Sequence, residues 1–107
     1  MSAYAVAHLR KMSVNRNIVA YLKQIDDTLE PFDGRFLVHG KQSEVVEGEF
    51  HGYLIIIAFP DMEKARDWYH SDAYQEIVPL RINNSEGSVI LVDGVPGDYQ
   101  ATDLLDR

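Results

Sequence analysis

An unbroken apolar run, Tyr53–Phe59, limits the fold of this chain more than any other stretch of its sequence. The run is far shorter than the roughly 20 residues that a membrane-spanning helix needs. It has the length of a strand, and Pro60 ends it because a proline cannot donate to a sheet's hydrogen-bond ladder. Successive side chains of a strand point to opposite faces, so both faces of this one are apolar. We therefore expect a fold that buries this strand on both sides.

Hydrophobic periodicity places the other elements around this run. Alternation of apolar and polar residues predicts strands, and apolar residues three and four apart predict amphipathic helices. The helix that follows Tyr53–Phe59 is expected to bend at Ser71, which can cap a second segment. The predicted elements are, in order, strand 3–10, helix 18–29, strands 35–39 and 53–59, helical segments 62–69 and 71–80, and strand 88–93.

The resulting order is βαββαβ. Crossover connections within one sheet are right-handed, so two interleaved units give a four-stranded antiparallel sheet with both helices on one face. This is the ferredoxin-like arrangement of the α+β class. We predict one such domain over residues 1–94. Residues 95–107 form a turn-rich tail that we expect to be disordered or to dock on a partner.

The composition of the strands predicts an assembly. A sheet that is covered by helices on one face and by water on the other should alternate apolar and polar residues. The run Tyr53–Phe59 does not alternate, and neither does the last strand, in which Val89 and Leu91 oppose Ile90 and Val92. Two helices can cover only one face of the sheet. We therefore predict a homodimer in which a second copy covers the other face.

Four local features carry more specific expectations. Ser13 is expected to cap the first helix, and Ser43–Glu47 to resume an extended conformation after the second strand. Pro79 costs about 3 kcal/mol inside a helix, so the segment that contains it is expected to be short or distorted. Residues 83–87, Asn-Asn-Ser-Glu-Gly, are expected to form a loop.

Charge and composition exclude several classes of function. The net charge is −7, with 17 acidic and 10 basic residues, so we expect neither nucleic acid nor anionic membranes as partners. No cysteine is present, which excludes thiolate metal sites and cysteine nucleophiles. Neither paired histidines at metal-binding spacing nor a glycine-rich phosphate loop occurs, so we predict no metal and no cofactor. The N-terminus lacks the features of a signal peptide, and we expect a cytoplasmic protein.

Four motifs extend over almost the whole chain up to residue 94. They are Tyr-x-Val-Ala-His-Leu at 4–9, Gly-Arg-Phe-Leu-Val-x-Gly at 34–40, Phe-Pro-x-Met-Glu-x-Ala-x-x-Trp-Tyr-x-Ser-x-x-Tyr at 59–74 followed by Arg81, and Val-Ile-Leu-Val-Asp-Gly at 89–94. Together they resemble the small bacterial proteins grouped as domain of unknown function 1330. The resemblance implies a dimeric α+β barrel. It implies no reaction, because none is established for that family.

Five residues are candidates for a site between the helices and the sheet. His8 lies mid-strand, where an imidazole can act as an acid or base, or can form a hydrogen bond at a sheet or dimer seam. Arg81 can bind the carboxylate of a ligand or pair with one inside the protein. Trp68, Tyr69 and Tyr74 can form the wall of a pocket or simply pack in the core.

Three hypotheses for function follow from these candidates. The first is a cofactor-independent enzyme that acts on a small carboxylate-bearing or phenolic metabolite, with His8 as acid or base and Arg81 as anchor. The second is a non-catalytic binding or sensing module that uses the same pocket. The third is a purely structural dimer. The superfold hosts monooxygenases, isomerases, haem enzymes and sensors, so the fold does not choose among them.

Overall fold

A computed structural model describes residues 1–106 and confirms the ferredoxin-like α+β fold. The elements follow in the predicted βαββαβ order, with the second helical region divided in two. They are β1 (Ala3–Met12), α1 (Arg16–Leu29), β2 (Arg35–His39), β3 (Tyr53–Phe59), α2 (Met62–Tyr69), α3 (Asp72–Ile82) and β4 (Ser85–Asp93). Short 3-10 helices follow α1 at Glu30–Phe32 and close the described chain at Ala101–Asp106.

The four strands form one antiparallel sheet in the order β2-β3-β1-β4. The two central strands, β3 and β1, pair from Ala3 opposite Phe59 to Leu9 opposite Tyr53. The core lies between one face of this sheet, here called the inner face, and the helices. Its buried members include Leu29, Trp68 and Ile77. The opposite, outer face of the sheet carries no helix.

Side-chain caps set where the helices begin. Asp61 accepts a hydrogen bond from the amide of Lys64 at 2.8 Å and starts α2. Ser71 accepts from the amide of Tyr74 at 3.2 Å and starts α3, which confirms the predicted cap and bend. The predicted cap at Ser13 is wrong. Strand β1 extends beyond residue 10, and Asn15 caps α1 instead.

Of the two effects expected of Pro79, a short helix or a distorted one, the first is wrong, because α3 continues through it to Ile82. A proline leaves the carbonyl four residues earlier without its helical partner. Pro79 is exposed to solvent, where water can hydrate that carbonyl. The continuation of α3 is important for the site because it carries Arg81 in its last turn.

Two further expectations require correction. Strand β4 begins at Ser85, within the predicted 83–87 loop, because β1 is long enough to pair Met12 with Ser85. Residues 43–47 form no strand, and the whole connection from Gly40 to Gly52 is irregular. This connection contains three glycines with positive φ, which favour turns over a continued strand.

The end of the described chain projects outward. The side chains of Ala101–Asp106 are all exposed, and Leu105 is 80% exposed. Docking of this tail on a partner stays a prediction, and Arg107 lies outside the described residues. None of the helices within residues 1–106 has both the length and the apolar character that crossing a bilayer demands.

Candidate functional site

A cavity of about 260 Å³ lies between the inner face of the sheet and helix α1, and it reaches the last turn of α3. Its lining is almost entirely apolar, with a few polar side chains at its ends. The lining residues are Ala5, Ala7, Leu9, Met12, Ile18, Tyr21, Leu22, Ile25, Phe36, His39, Gly40, Tyr53, Ile55, Ile57, Trp68, Tyr74, Arg81 and Val89.

Small side chains on a central strand create the space. The strand register aligns His39, Ile55, Ala7 and Val89 in one row across the inner face of the sheet. The neighbouring row has Ala5 at the same central position. An alanine between larger neighbours leaves a depression that the helix above does not fill. The cavity therefore follows from two alanines on β1.

Trp68 forms one wall and is held in a fixed orientation. It is 2% exposed, and its indole Nε1 donates a hydrogen bond to Oγ1 of Thr28 at 3.0 Å. The Thr28 hydroxyl in turn donates to the carbonyl of Ile25 at 2.7 Å. The Trp68 ring lies 4.1 Å from the ring of Tyr74, centroid to centroid. This chain of contacts fixes the wall before any ligand arrives.

A cluster of two tyrosines and an arginine forms the polar end of the cavity. The hydroxyls of Tyr21 and Tyr74 are hydrogen-bonded at 2.7 Å, and the guanidinium carbon of Arg81 lies 6.0 Å from the centre of the Tyr21 ring. Burial, and then the Tyr74 hydroxyl, raise the pKa of Tyr21 far above its usual value, while Arg81 partly opposes this effect. Tyr21 therefore stays a neutral hydroxyl.

Arg81 has no carboxylate partner in the part of the chain that the structure describes. The one ion pair within residues 1–106 joins His51 and Glu49 on the surface. Burial opposes the charge of Arg81, but the oxygens of Tyr74 and Tyr21 outweigh it and raise the pKa of the guanidinium. The end of the cavity thus carries a partly buried positive charge that phenol dipoles stabilise and that no described acid neutralises.

The structure brings three of the five predicted site residues together. Trp68, Tyr74 and Arg81 all line the cavity. Tyr69 does not line it; its ring packs behind the wall, 6.2 Å from Trp68 and 5.5 Å from Tyr74. Adjacent helix positions point about 100° apart, which is why Trp68 faces the cavity and Tyr69 does not.

His8 lies on the outer face of the sheet, away from the cavity. Its neighbours along β1, Ala7 and Leu9, point inward, so the alternation of the strand directs His8 outward. Its Nε2 lies 2.7 Å from the carbonyl of His51, and its ring stacks on Phe50 at 4.5 Å. A catalytic role for His8 stays a prediction that the geometry of this cavity does not support.

Two functional candidates are absent from the sequence-based set. Tyr21 belongs to the apolar stripe of α1, and nothing in that spacing distinguishes it from a core residue. His39 lines the cavity because the pairing of β2 with β3 shifts between Phe36 and Val38, a bulge that turns His39 to the inner face. The His39 ring then stacks on Phe36 at 4.3 Å.

The donor set of the cavity suits an organic anion better than a metal ion. Among residues 1–106, the polar side chains that line it are an arginine, three tyrosines and one histidine, with no carboxylate. Within residues 1–106, no group of three or more His, Asp or Glu side chains is placed to hold a metal ion. An arginine beside phenols can hold a carboxylate, and the apolar walls can enclose the rest of a small molecule.

Comparison with known proteins gives a family and a fold. The family model described as Domain of unknown function (DUF1330) matches residues 2–95. None of the curated proteins searched matches the chain.

Solved structures of similar fold include three that cover most of the chain. RPA0582 from Rhodopseudomonas palustris, a protein of unknown function, is 15% identical, with 89% of this chain and 83% of its own covered and a TM-score of 0.65. A dimeric ferredoxin-like protein of unknown function from Jannaschia sp. CCS1 is 12% identical. The match covers 90% of this chain and 100% of the Jannaschia protein, with a TM-score of 0.64. A mutant of SnoaB, a cofactor-independent oxygenase from Streptomyces nogalater, is 11% identical. The match covers 92% of this chain and 98% of SnoaB, with a TM-score of 0.63. Likeness at these identities establishes the fold alone.

Proposed function

The chain belongs to the DUF1330 family, and we propose that it binds a small aromatic carboxylate in the cavity between α1 and the sheet. The observation that carries this proposal is Arg81, a cation at the end of an apolar cavity without a described carboxylate partner. A buried charge is costly unless it is paired. A ligand carboxylate would supply the missing partner.

The polar end of the cavity fits a carboxylate in detail. A guanidinium presents a planar fork of N–H donors that matches two carboxylate oxygens. The hydroxyls of Tyr21 and Tyr74 lie beside it, and one of them can donate a further hydrogen bond. Such charge-assisted hydrogen bonds are about twice as strong as neutral ones.

The remainder of the cavity fits an aromatic ring. Its volume of about 260 Å³ equals the share of roughly nine water molecules at about 30 Å³ each, which suits one ring with a short substituent. Phe36 and Tyr53, which line the cavity and are less deeply buried than Trp68 and Tyr74, offer ring surfaces for stacking or edge contacts. The floor at Ala5 and Ala7 is apolar, and its side chains offer no hydrogen bond to a strongly hydrated ligand.

Binding can be tested by calorimetry with matched ligands and matched variants. We expect benzoate-type and cinnamate-type acids to bind, and their uncharged amides to bind far more weakly. Arg81→Met should weaken acid binding by roughly 10- to 100-fold, because hydrogen bonds to charged groups contribute about 1.5–3 kcal/mol. Arg66→Met, at an exposed position of α2, is the control. If no acid binds, or if Arg81→Met binds as the parent does, the proposal fails.

An enzymatic role, a cofactor-independent reaction on the bound acid or phenol, is the second candidate. It is supported by a mostly apolar cavity whose lining includes the titratable side chains of His39, Tyr21 and Arg81. Product analysis after aerobic incubation with each bound acid separates the two roles. Turnover that persists in His8→Ala would remove His8 from the mechanism, and the absence of product would leave a binding or sensing module.

We further propose that the protein acts as a homodimer through the outer face of the sheet. Ile90 and Val92 on this face are 57% and 42% exposed, and no helix covers them. The similar Jannaschia protein is described as dimeric. Light scattering at micromolar concentration should give a dimer mass, and Ile90→Lys should give a monomer. A monomeric parent would refute this proposal.

The tail is proposed to dock on the partner copy. Leu104 and Leu105 are 49% and 80% exposed, which is unusual for two adjacent leucines that have no role. If they contact the partner, Leu105→Ser should weaken the dimer. Analytical ultracentrifugation should measure a weaker dimer for both Leu105→Ser and Ile90→Lys if the two residues belong to one interface. A dimer of unchanged strength in Leu105→Ser would refute the docking role of the tail.

A further inference from the structure

We infer that the ligand carries a second polar group, a hydroxyl on the ring end far from its carboxylate, which His39 recognises at the mouth of the cavity. This inference rests on the proposed function and specifies its substrate class as hydroxylated aromatic acids. The observation that carries it is the position of His39, which lines the cavity, lies at the sheet edge opposite to Arg81 and is exposed to solvent.

The strand bulge in β2 gives His39 this position. Val38 pairs with Ile56 of the outer face and His39 pairs with Ile55 of the cavity floor. In a regular strand that begins with Phe36 inward, residue 39 would point outward. The shift between Phe36 and Val38 reverses that alternation, so that Val38 points outward and His39 points inward. A bulge that redirects one polar side chain into a cavity is typical of binding sites.

The orientation of the imidazole is fixed, while its nitrogens are available. The ring stacks on Phe36 with a centroid distance of 4.3 Å and an interplanar angle of 22°. Among residues 1–106, no hydrogen bond satisfies either ring nitrogen of His39. A neutral imidazole has one donor and one acceptor, and a phenolic or alcoholic hydroxyl can pair with either. The side chain is thus held ready to bind a hydroxyl.

The width of the sheet sets the length of the ligand. His39 ends strand β2 at one edge of the sheet, whereas Arg81 lies beside the start of β4 at the other edge, where the Ser85 hydroxyl donates to its carbonyl at 2.7 Å. Three strand spacings, about 14 Å, separate these edges, and Ser85 lies four residues along β4 from Val89 in the row of His39, which adds about 13 Å along the strand. Both side chains reach inward, and the remaining gap suits one aromatic ring with a short acidic arm.

The test compares two acids that differ by one hydroxyl, cinnamate and 4-hydroxycinnamate, by calorimetry on the full chain. The parent should bind 4-hydroxycinnamate roughly three- to tenfold more tightly, the value of one partly solvated hydrogen bond. His39→Phe keeps an aromatic ring at this position but removes both nitrogens, so the ratio of the two affinities should fall to about one. His39→Gln should restore part of the preference, and His70→Phe, at the exposed end of α2, should not alter it.

The outcomes separate this inference from the proposal on which it rests. Arg81-dependent binding of both acids with equal affinity would overturn the role of His39 and leave the carboxylate site intact. A hydroxyl preference that survives in His39→Phe would likewise overturn it. If neither acid binds, or if binding is insensitive to Arg81→Met, the carboxylate site itself is refuted.

Discussion

A larger side chain on the cavity floor should raise the free energy of unfolding and lower the affinity for aromatic acids. Ala7 lies at the centre of the floor, between Ile55 and Val89 in its row. In Ala7→Leu, about three additional carbon atoms enter apolar space, at about 0.8 kcal/mol each, or about 2.4 kcal/mol in total. Fixing the leucine rotamer costs about 0.5–1 kcal/mol. We therefore expect the free energy of unfolding to rise by about 1.5 kcal/mol.

The measurement is thermal and urea unfolding at one fixed protein concentration, because an oligomer's midpoint depends on concentration. For a chain of this size the gain corresponds to roughly 5–10 °C in melting temperature. The same variant should lose affinity for aromatic acids, since the leucine occupies their space. Ala73→Leu, at an exposed position of α3, adds the same atoms outside the cavity and should change stability by less than about 0.5 kcal/mol.

Two results would refute this reasoning. If Ala7→Leu lowers the free energy of unfolding by more than about 1 kcal/mol, the floor is already close-packed, because overpacking a filled core costs about 1–3 kcal/mol. If the variant is stabilised but binds aromatic acids as the parent does, the ligand does not occupy this cavity. Higher stability together with lost binding identifies a space that is kept open for a ligand.

Three further predictions concern residues that support the site. Burial raises the pKa of Tyr21 in the folded state above its value of about 10 in the unfolded chain. Above about pH 10 the unfolded chain therefore releases this proton first, and the free energy of unfolding should fall by up to about 1.4 kcal/mol per pH unit. Urea unfolding across this range should show the slope, and an identical slope in Tyr21→Phe would contradict the assignment. Thr28→Val leaves the indole N–H of Trp68 without its acceptor and should cost about 1–3 kcal/mol in urea unfolding, and no loss would mean that this hydrogen bond is unimportant. Gly52→Ala would place a methyl carbon 2.2 Å from the carbonyl oxygen of Leu9 at a φ of +103°, so we expect a clear loss of thermal stability, and a neutral result would show that the backbone relaxes there.

The fold was accessible from the sequence because its determinants are local. Alternation along β1 and the stripe of α1 each record which side of an element faces the core. Caps at Asp61 and Ser71 are local as well, since each side chain bonds an amide three residues away. The length of α3 was not accessible, because the cost of Pro79 is offset by tertiary packing of Ile77 and Val78 in the core.

The site was only partly accessible because it depends on pairings between distant segments. Trp68 and Arg81 could be found as large or charged residues in a specific motif. The partnership of Tyr21 with Tyr74 joins residues that are 53 positions apart, and no local pattern encodes it. The inward direction of His39 depends on a register shift between β2 and β3. That shift depends in turn on how both strands pack, which no local sequence pattern encodes.

The two faces of the sheet differ in shape, although the strand β3 is apolar on both sides. On the inner face, large residues such as Ile55 surround small ones at Ala5 and Ala7, so the helices meet a floor with a depression in it. On the outer face, Ile56 and Ile90 flank Val6, and no small residue opens a space between them. A face with a depression suits a small ligand, whereas a continuous branched surface suits another sheet. Substitutions on β1 before its bulge, at residues 3–9, should therefore alternate in effect: even positions should alter assembly, and odd positions should alter binding.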